Sequence, residues 1–552
     1  MTHILFSKKA LTKIQGAIIA VIIVGAVIAG AAYYMSLPPG PTPTPGPTPT
    51  PAPQPMELTY GWVTDIITID PHTGWSTDSL MIVRACYDRL VQLKGSTMEI
   101  EPSLATEWSI SSDGLEYTFN LRQDIKFADG TSLDATAVKT SFDRLLGIGQ
   151  QSQNFICVDT INVVNASSVK FVLKFPFAPF LGALATCQAS IVNPDAVEAH
   201  KTTDDPWALA WFQDHTNGTG PYMMQEWKKG EKWTLVQNPN YWGGWTGQHL
   251  TKITGLIISE PATTRMMLEG GDLDISFFIA RIDIPELQLN PFIRIVEYPA
   301  LSTFYLCFNN QKGPLSDVHV RRAVSWAFDY SGALSLILYH GKQGRGANPS
   351  ALWGWSEDTP QYTRNMTKAE EELALSAYPD GGFTLQYLWC SGVEEERKIG
   401  ELLQANLADL NINVELVEQT WATLTATTTN PETAMDIVAL FEFVFAPDPH
   451  FSMYDRFHSS RIPPGGYNWN YFNNSEVDAL LDQAVQELDQ DTRADLYHQV
   501  DLILVDQAVS GWLYEETKIV TMGTWVHGFL PNPCLVETFN FYDMYVIEEE
   551  KP

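Results

Sequence analysis

Catalytic signatures are the first thing missing from these 552 residues. There is no GxSxG elbow, no HExxH, no GxxxxGK[ST] loop and no paired Cys/His spacing for a metal. The eleven histidines are scattered. No cofactor is expected, and an extracellular hydrolase survives only as a distant alternative, since convergent active sites need no fixed order. Basic residues are scarce too: 34 Lys and Arg stand against 65 Asp and Glu, a net charge of −31. Nucleic acid is thereby excluded as a partner, because phosphates require a basic surface to release counterions. The acidic balance itself reads as a solvated surface. Cysteine is sparse: six residues, dispersed, without a CxxC. Six thiols allow 15 pairings; Cys157 and Cys187, near neighbours, are the first candidates for a bridge, with buried free thiols an equal reading.

Charge is absent altogether from residues 14–56. Within that stretch Gly16–Met35 is an apolar run of about 20 residues, enough to span a bilayer as a helix. Lys8, Lys9 and Lys13 precede it, so the positive-inside rule puts the rest of the chain outside the cell. No second run of that length appears, and no cysteine near the helix offers a lipid anchor. Lys8–Lys13 (KKALTK) resembles an archaeal pilin-type signal, cleaved after Ala10 with the helix retained. An uncleaved anchor, or signal-peptide cleavage near Ala29–Ala32, are the other readings. Pro38–Pro55 alternates Pro with Thr and reads as an extended polyproline stalk. Sequons at Asn165, Asn217, Asn365 and Asn473 fit an extracellular body.

The length of that body suggests two or three domains. Glu57–Trp62 opens it as a strand, and Asp78–Leu90 follows as a helix. Trp108–Ile110 and Tyr117–Leu121 alternate as strands around Ser112-Asp113-Gly114. Asp134 caps a helix over Ala135–Leu146, and Tyr222–Trp227 and Trp233–Gln237 form a hairpin. Thr303–Phe308 has the composition of a buried strand, and Asp317 caps a helix with apolar residues at Val320, Ala323, Val324, Ala327 and Phe328. Phe383–Trp389, Glu394–Leu410 and Ile412–Val417 make a βαβ unit, with Met435–Phe443 a further strand. Helices are expected over Ser475–Leu488 and Asp491–Val509, and a strand-like tail over Trp512–Val546.

The wording of four blocks goes beyond periodicity. Glu101–Leu146 (EPSLATEWSISSDGLEYTFNLRQDIKFADG…), Asn217–Gly244 (NGTGPY…NPNYWGG), Thr263–Ile275 and Phe308–Tyr330 (FNNQKGPLSDVHVRRAVSWAFDY) resemble, in order, solute-binding proteins of the dipeptide/oligopeptide ABC-transporter family. The resemblance covers about Glu57 to Val546. It implies an α/β, two-lobed periplasmic-binding-protein-like fold of type II, with an extra subdomain and a hinge of crossing strands. On this reading residues 1–36 are the signal or membrane helix and 37–56 the stalk. Lobe I spans 57–300 with an inserted subdomain at about 90–215, lobe II spans 301–510, and 511–552 return to lobe I. It implies an archaeal-type importer component, tethered to the cell membrane with its body outside. That component would close on a peptide, or alternatively an oligosaccharide, and deliver it to ABC permease subunits.

Ligands of such βαβ units bind beyond the carboxyl ends of the strands. Trp389, Trp421 and Asp448 fall there from three strands, and the resemblance gives Asp448 the part of pairing with a peptide α-amine. Trp353 and Trp355, in a glycine-rich loop, are further candidates, with Tyr60 and Trp62 facing them from lobe I.

Overall fold

The computed structural model describes residues 56–552 except 75, 338, 339, 445 and 536–538, and, further upstream, residues 24–26, 29, 32 and 35. The chain divides into two units, Met1–Gln54 and Pro55–Pro552. The described residues of the first are helical. The stalk, the cleavage sites and most of Gly16–Met35 lie outside the described residues. Among the described residues no helix is long and apolar enough to cross a membrane.

The second unit is mixed α/β and is organised by one long strand. Thr303–Phe308 is only the end of it: the strand runs for 16 residues, Ile293–Phe308, and is buried without interruption from Ala300 onward. An alternating pattern up to Pro299 gives way to a continuous apolar run, as expected where a strand becomes covered on both faces. It pairs antiparallel with Ser510–Gly523, and the register slips between Pro299 and Thr303. Pro299 has no N–H to give the ladder, which suits it to that break.

On one side of this pair the mixed sheet continues through Ile437–Phe443, Phe383–Cys390 and Ile412–Gln419. On the other it continues through Ile275–Ser276, Glu57–Trp62, Lys252–Ile257, Lys232–Gln237 and Tyr222–Lys228. The short strand Gly341–Gln343 joins Ser510–Gly523 at the break. Each half carries its own core. Tyr60, Tyr87, Trp233 and Trp525 centre one, and residues of the tail from Val520 to Val546 pack into it. In the other half, Phe304, Leu306 and Phe308 enter one cluster and Tyr305 and Cys307 another, on opposite faces of the sheet as strand alternation requires.

A separate four-stranded antiparallel sheet, ordered Ala105–Ile110, Glu116–Leu121, Ser168–Leu173, Val158–Asn165, has a third core of packed phenylalanines. Its helix, Ala135–Ile148, starts where Asp134 accepts from the N–H groups of Thr136 and Ala137, and stops at Gly149, whose φ of 76° is left-handed. Asp317 likewise accepts from His319 N–H to start Val318–Ala327. Of the two readings for Cys157 and Cys187, no bridge is formed, and all six cysteines are free thiols. The reason is location: Cys157 is packed in the phenylalanine core and Cys187 in the core of the first half-sheet.

One buried ion pair fastens the small sheet's helix to the loop after Trp62. Arg144, wholly buried, donates to both oxygens of Asp70 at 2.8 and 2.6 Å and to Trp207 O at 2.9 Å. Its guanidinium lies 4.4 Å from the Phe212 ring centroid. Burial, with the Arg144 charge beside it, pushes His72 down to about 4, so this imidazole is neutral in the folded protein. Removing one partner leaves an uncompensated buried charge. Asp70→Asn is expected to cost about 3–5 kcal/mol of unfolding free energy, measured by urea denaturation. A loss within experimental error of a surface substitution would contradict this account.

Candidate functional site

The three sheet strands beyond Ile293–Phe308 end on the same side, because Phe383–Cys390 runs parallel to both its neighbours. The chain after each strand end therefore converges. After Gln419, Thr420 accepts from Thr423 N–H and starts the helix Trp421–Thr428. After Phe443 comes the turn Ala446-Pro447-Asp448-Pro449 and the helix His450–Phe457. Opposite them stand Leu80 on the helix Thr77–Cys86, the glutamine-rich segment Gln150–Asn154, and Thr186 and Gln188. Between the two walls lies a cavity of about 410 Å³.

Its chemistry is an aromatic surround with charges set into it. Trp421 and Trp469 lie 6.0 Å apart with rings tilted by 49°, and Phe443, Phe451 and Tyr467 complete the apolar lining. Arg456 pairs with Glu442 at 2.5 Å and sits 5.4 Å from the Tyr467 ring and 5.8 Å from that of Trp469. Burial holds the Glu442 carboxyl above its usual range, against the pull of Arg456. Asp455, half-exposed on the same helix, pairs with Arg461 at 2.6 Å. The Trp469 ring N–H is buried and has no protein acceptor. A small molecule with both charge signs and an apolar body finds complementary groups here.

The structure distributes the residues singled out from sequence unevenly. Trp421 lines this cavity and is 48% exposed. Trp389 stands at its strand end as expected, but its ring is buried in the core on one face of the sheet. Tyr60 is buried in the first core, with Trp62 stacked on it at 6.0 Å. The rings beside that pair are Trp233, Phe539 and Phe277 rather than Trp353 or Trp355. Trp355 lies under the Lys342 ammonium, 5.0 Å from the ring centroid.

Asp448 is corrected most sharply. It is 5% exposed, and Arg493 donates to both its oxygens at 2.7 and 2.8 Å. His450 N–H donates to the same group at 3.0 Å. With its acceptors so engaged, Asp448 serves the protein's own guanidinium rather than a ligand amine. Trp353 belongs to this assembly: its N–H donates to Pro447 O at 2.9 Å and its ring lies 5.0 Å from Arg493. Trp353, Asp448 and Arg493 line a second, larger cavity of about 950 Å³ beside the Ile110–Ser112 turn.

Glu442, Arg456 and Trp469 went unremarked in the sequence. One signal was available, since Glu442 is the only charge in the apolar strand Ile437–Phe443. The partnership with Arg456, across a turn and one helix, had none.

The family model for bacterial extracellular solute-binding proteins, family 5, matches residues 99–463. The probable D,D-dipeptide-binding periplasmic protein of Escherichia coli K12 is 35% identical over 496 residues, 88% of this chain and 94% of the relative. Heme-binding protein A of Haemophilus influenzae is 27% identical over 477 residues, 82% and 86% of the two chains. Among solved structures, HbpA2 of Haemophilus parasuis superposes with a TM-score of 0.79 at 25% identity, over 89% of this chain and all of that one. These relatives are substrate-binding proteins, not enzymes.

If Asp448 is structural, its loss is a stability defect with a specific remedy. Asp448→Asn should lower unfolding free energy by about 3–5 kcal/mol, and Asp448→Asn/Arg493→Met should recover part of it, since the double variant no longer buries a lone charge. Urea denaturation of the wild type and the two variants measures this; a double variant no more stable than Asp448→Asn would contradict it.

Proposed function

Since this chain belongs to family 5 of the extracellular solute-binding proteins, we propose that it captures short peptides between two lobes and hands them to an ABC permease. The observation that carries the reading is the 410 Å³ cavity, in which Glu442, Arg456 and an aromatic surround meet a polar wall from the other half of the molecule. A peptide brings an ammonium, a carboxylate and an apolar body. Enclosing either charge without a partner is costly. Glu442 or Asp455 supplies the counter-charge for the amine, Arg456 and the Trp469 N–H receive the carboxylate, and the indoles take the side chains. The D,D-dipeptide named for the E. coli relative belongs to this ligand class.

In this mechanism the protein does no chemistry. The halves of the sheet turn about the register break at Pro299–Thr303, and closure excludes water from the cavity. Contacts between the walls fit a closed form: Ala178 N–H donates to Val485 O at 2.8 Å, and the Phe177 and His450 rings meet edge to face at 5.1 Å. Lobe I is read as 57–300, with the small sheet as its inserted subdomain, lobe II as 301–510, and the tail as a return to lobe I. We further propose that the apolar run Gly16–Met35 tethers the protein as a single pass of the cell membrane, in the archaeal manner, with Pro38–Pro55 as a stalk.

An oligosaccharide is the second reading, favoured by the Trp421–Trp469 pair, since sugars stack on indoles without needing a counter-charge. The two separate under mutation. For a peptide, Glu442→Gln should lose on the order of 2–5 kcal/mol of affinity, and N-acetylation should cost the variant much less than the wild type. For a sugar, Trp421→Ala should dominate and Glu442→Gln should be mild. Calorimetry against a peptide and an oligosaccharide panel, seeded by mass spectrometry of the co-purifying ligand, decides it. Binding indifferent to Glu442, Arg456 and Trp421 alike would refute this cavity as the site. The tether has its own test: N-terminal sequencing of the native protein should find Leu11 first, and a start beyond Ala29 with protein free in the medium would refute it.

A further inference from the structure

The seam where the small sheet meets the other half of the molecule is apolar, and one titratable ring sits in it. Ala178 N–H donates across it to Val485 O at 2.8 Å. Val485 joins the small sheet's own core, with Phe451 and Tyr454 packed against it. A Cβ placed on Gly182 would stand 3.7 Å from each of Asp448, Pro447 and Phe451. The ring is that of His450, at the start of the helix His450–Phe457. Phe177 meets it edge to face from the small sheet's side at 5.1 Å. On its own helix it meets Phe451 at 5.2 Å and Tyr454 at 5.1 Å.

The His450 Nδ1 is buried and has no hydrogen-bond partner among the described residues. A neutral imidazole with its proton on Nε2 tolerates that position. An imidazolium does not, because its second N–H would be a buried donor with no acceptor. The groups around the ring give a cation no help. Asp448 has both oxygens occupied by Arg493, and one of them also takes the His450 backbone N–H. Arg493, on the helix Gln490–Asp506, and Arg461, just beyond the helix of His450, add positive charge. Tyr454 is neutral and gives its hydroxyl to Asp482, on the helix Ser475–Gln486, at 3.0 Å. Opposite, residues 175–180 carry no charge at all. Burial first, then Arg493 and Arg461, push the imidazole down to about 3.

We propose that His450 couples closure of the two walls to loss of a proton: the ring is neutral when Phe177 covers it, and its protonation favours the open form. This rests on the closure proposed above. With Phe177 withdrawn, water reaches the ring and its pKa rises toward the ordinary imidazole value of about 6.5. Below that value the open form holds a proton that the closed form lacks. The closed fraction therefore falls as the pH drops, by at most about tenfold per pH unit for one proton. Ligand is held in neutral surroundings and let go in acid ones.

The test follows the full-length protein without ligand by small-angle scattering from about pH 7.5 to about pH 5. The wild type should expand as the pH falls. His450→Phe, which keeps an aromatic ring in the seam but cannot titrate, should stay compact throughout. His450→Gln, neutral across the range, is read in its place if circular dichroism shows that variant misfolded. A second arm uses Ala-Ala as the probe in calorimetry. Over the same range wild-type affinity should fall roughly tenfold more than that of His450→Phe. Glu442 and the buried Asp501 and Glu396, the last two pushed up to about 7, are common to all three proteins, so the ratio isolates His450. The proposal is overturned if the wild type keeps one radius across the range, or if His450→Phe expands as the wild type does. Failure of Ala-Ala to bind counts against the function proposed above and leaves the scattering result to decide this one.

Discussion

Everything in the body is referred to one antiparallel pair, Ile293–Phe308 against Ser510–Gly523. Both strands cross from one half of the sheet to the other, and each half then grows outward from its own edge of the pair. A strand this long, covered on both faces over half its length, fixes the relative depth of two cores that are otherwise built from separate stretches of chain. The register slip at Pro299–Thr303 falls between the segment paired only with Thr517–Gly523 and the segment that also pairs with Ile437–Phe443. The ladder is thus interrupted where the two halves of the sheet meet.

The same region gathers charge. Arg281 and Lys518 both reach Glu516, at 2.6 and 2.9 Å, and Ser350 hydrogen-bonds Glu515 from the glycine-rich loop. Burial raises the Glu515 carboxyl above its ordinary value. Charged pairs are poor sources of net stability once desolvation is counted. Their placement beside the break is better understood as directional: they fix how the loop and the crossing strand approach, where apolar packing alone would allow sliding.

That logic recurs across the molecule. Asp70–Arg144 joins the small sheet's helix to the loop after Trp62, Asp448–Arg493 joins the turn after Ile437–Phe443 to the helix Gln490–Asp506, and Glu442–Arg456 sets the floor of the main cavity. The first two link segments far apart in sequence and the third a strand to the next helix, and each closes one path by which neighbouring elements slip. The acidic surface contributes solubility and repulsion of other anions.

Much of the architecture was legible in one sequence. Local rules account for the caps at Asp134 and Asp317, the hairpin around Ser112-Asp113-Gly114 and the alternation of strands and helices from Phe383 to Phe443, because each is decided within a few residues. The family wording, spread over four blocks, carried the fold class. Strand ends were placed within two residues, Trp389 against Cys390 and Val417 against Gln419, and Trp421, just beyond the second, lines the cavity. What the sequence could not determine was which side of its strand Trp389 would present to a core, and which partner each buried charge would take. Asp448 looked available until Arg493, 45 positions away, occupied both its oxygens, while Glu442 gained its guanidinium from the next helix. Inside a protein a charge is governed by whatever lies within a few ångströms in a poorly polarisable medium, and that distance is set by the tertiary fold, with no counterpart in spacing along the chain.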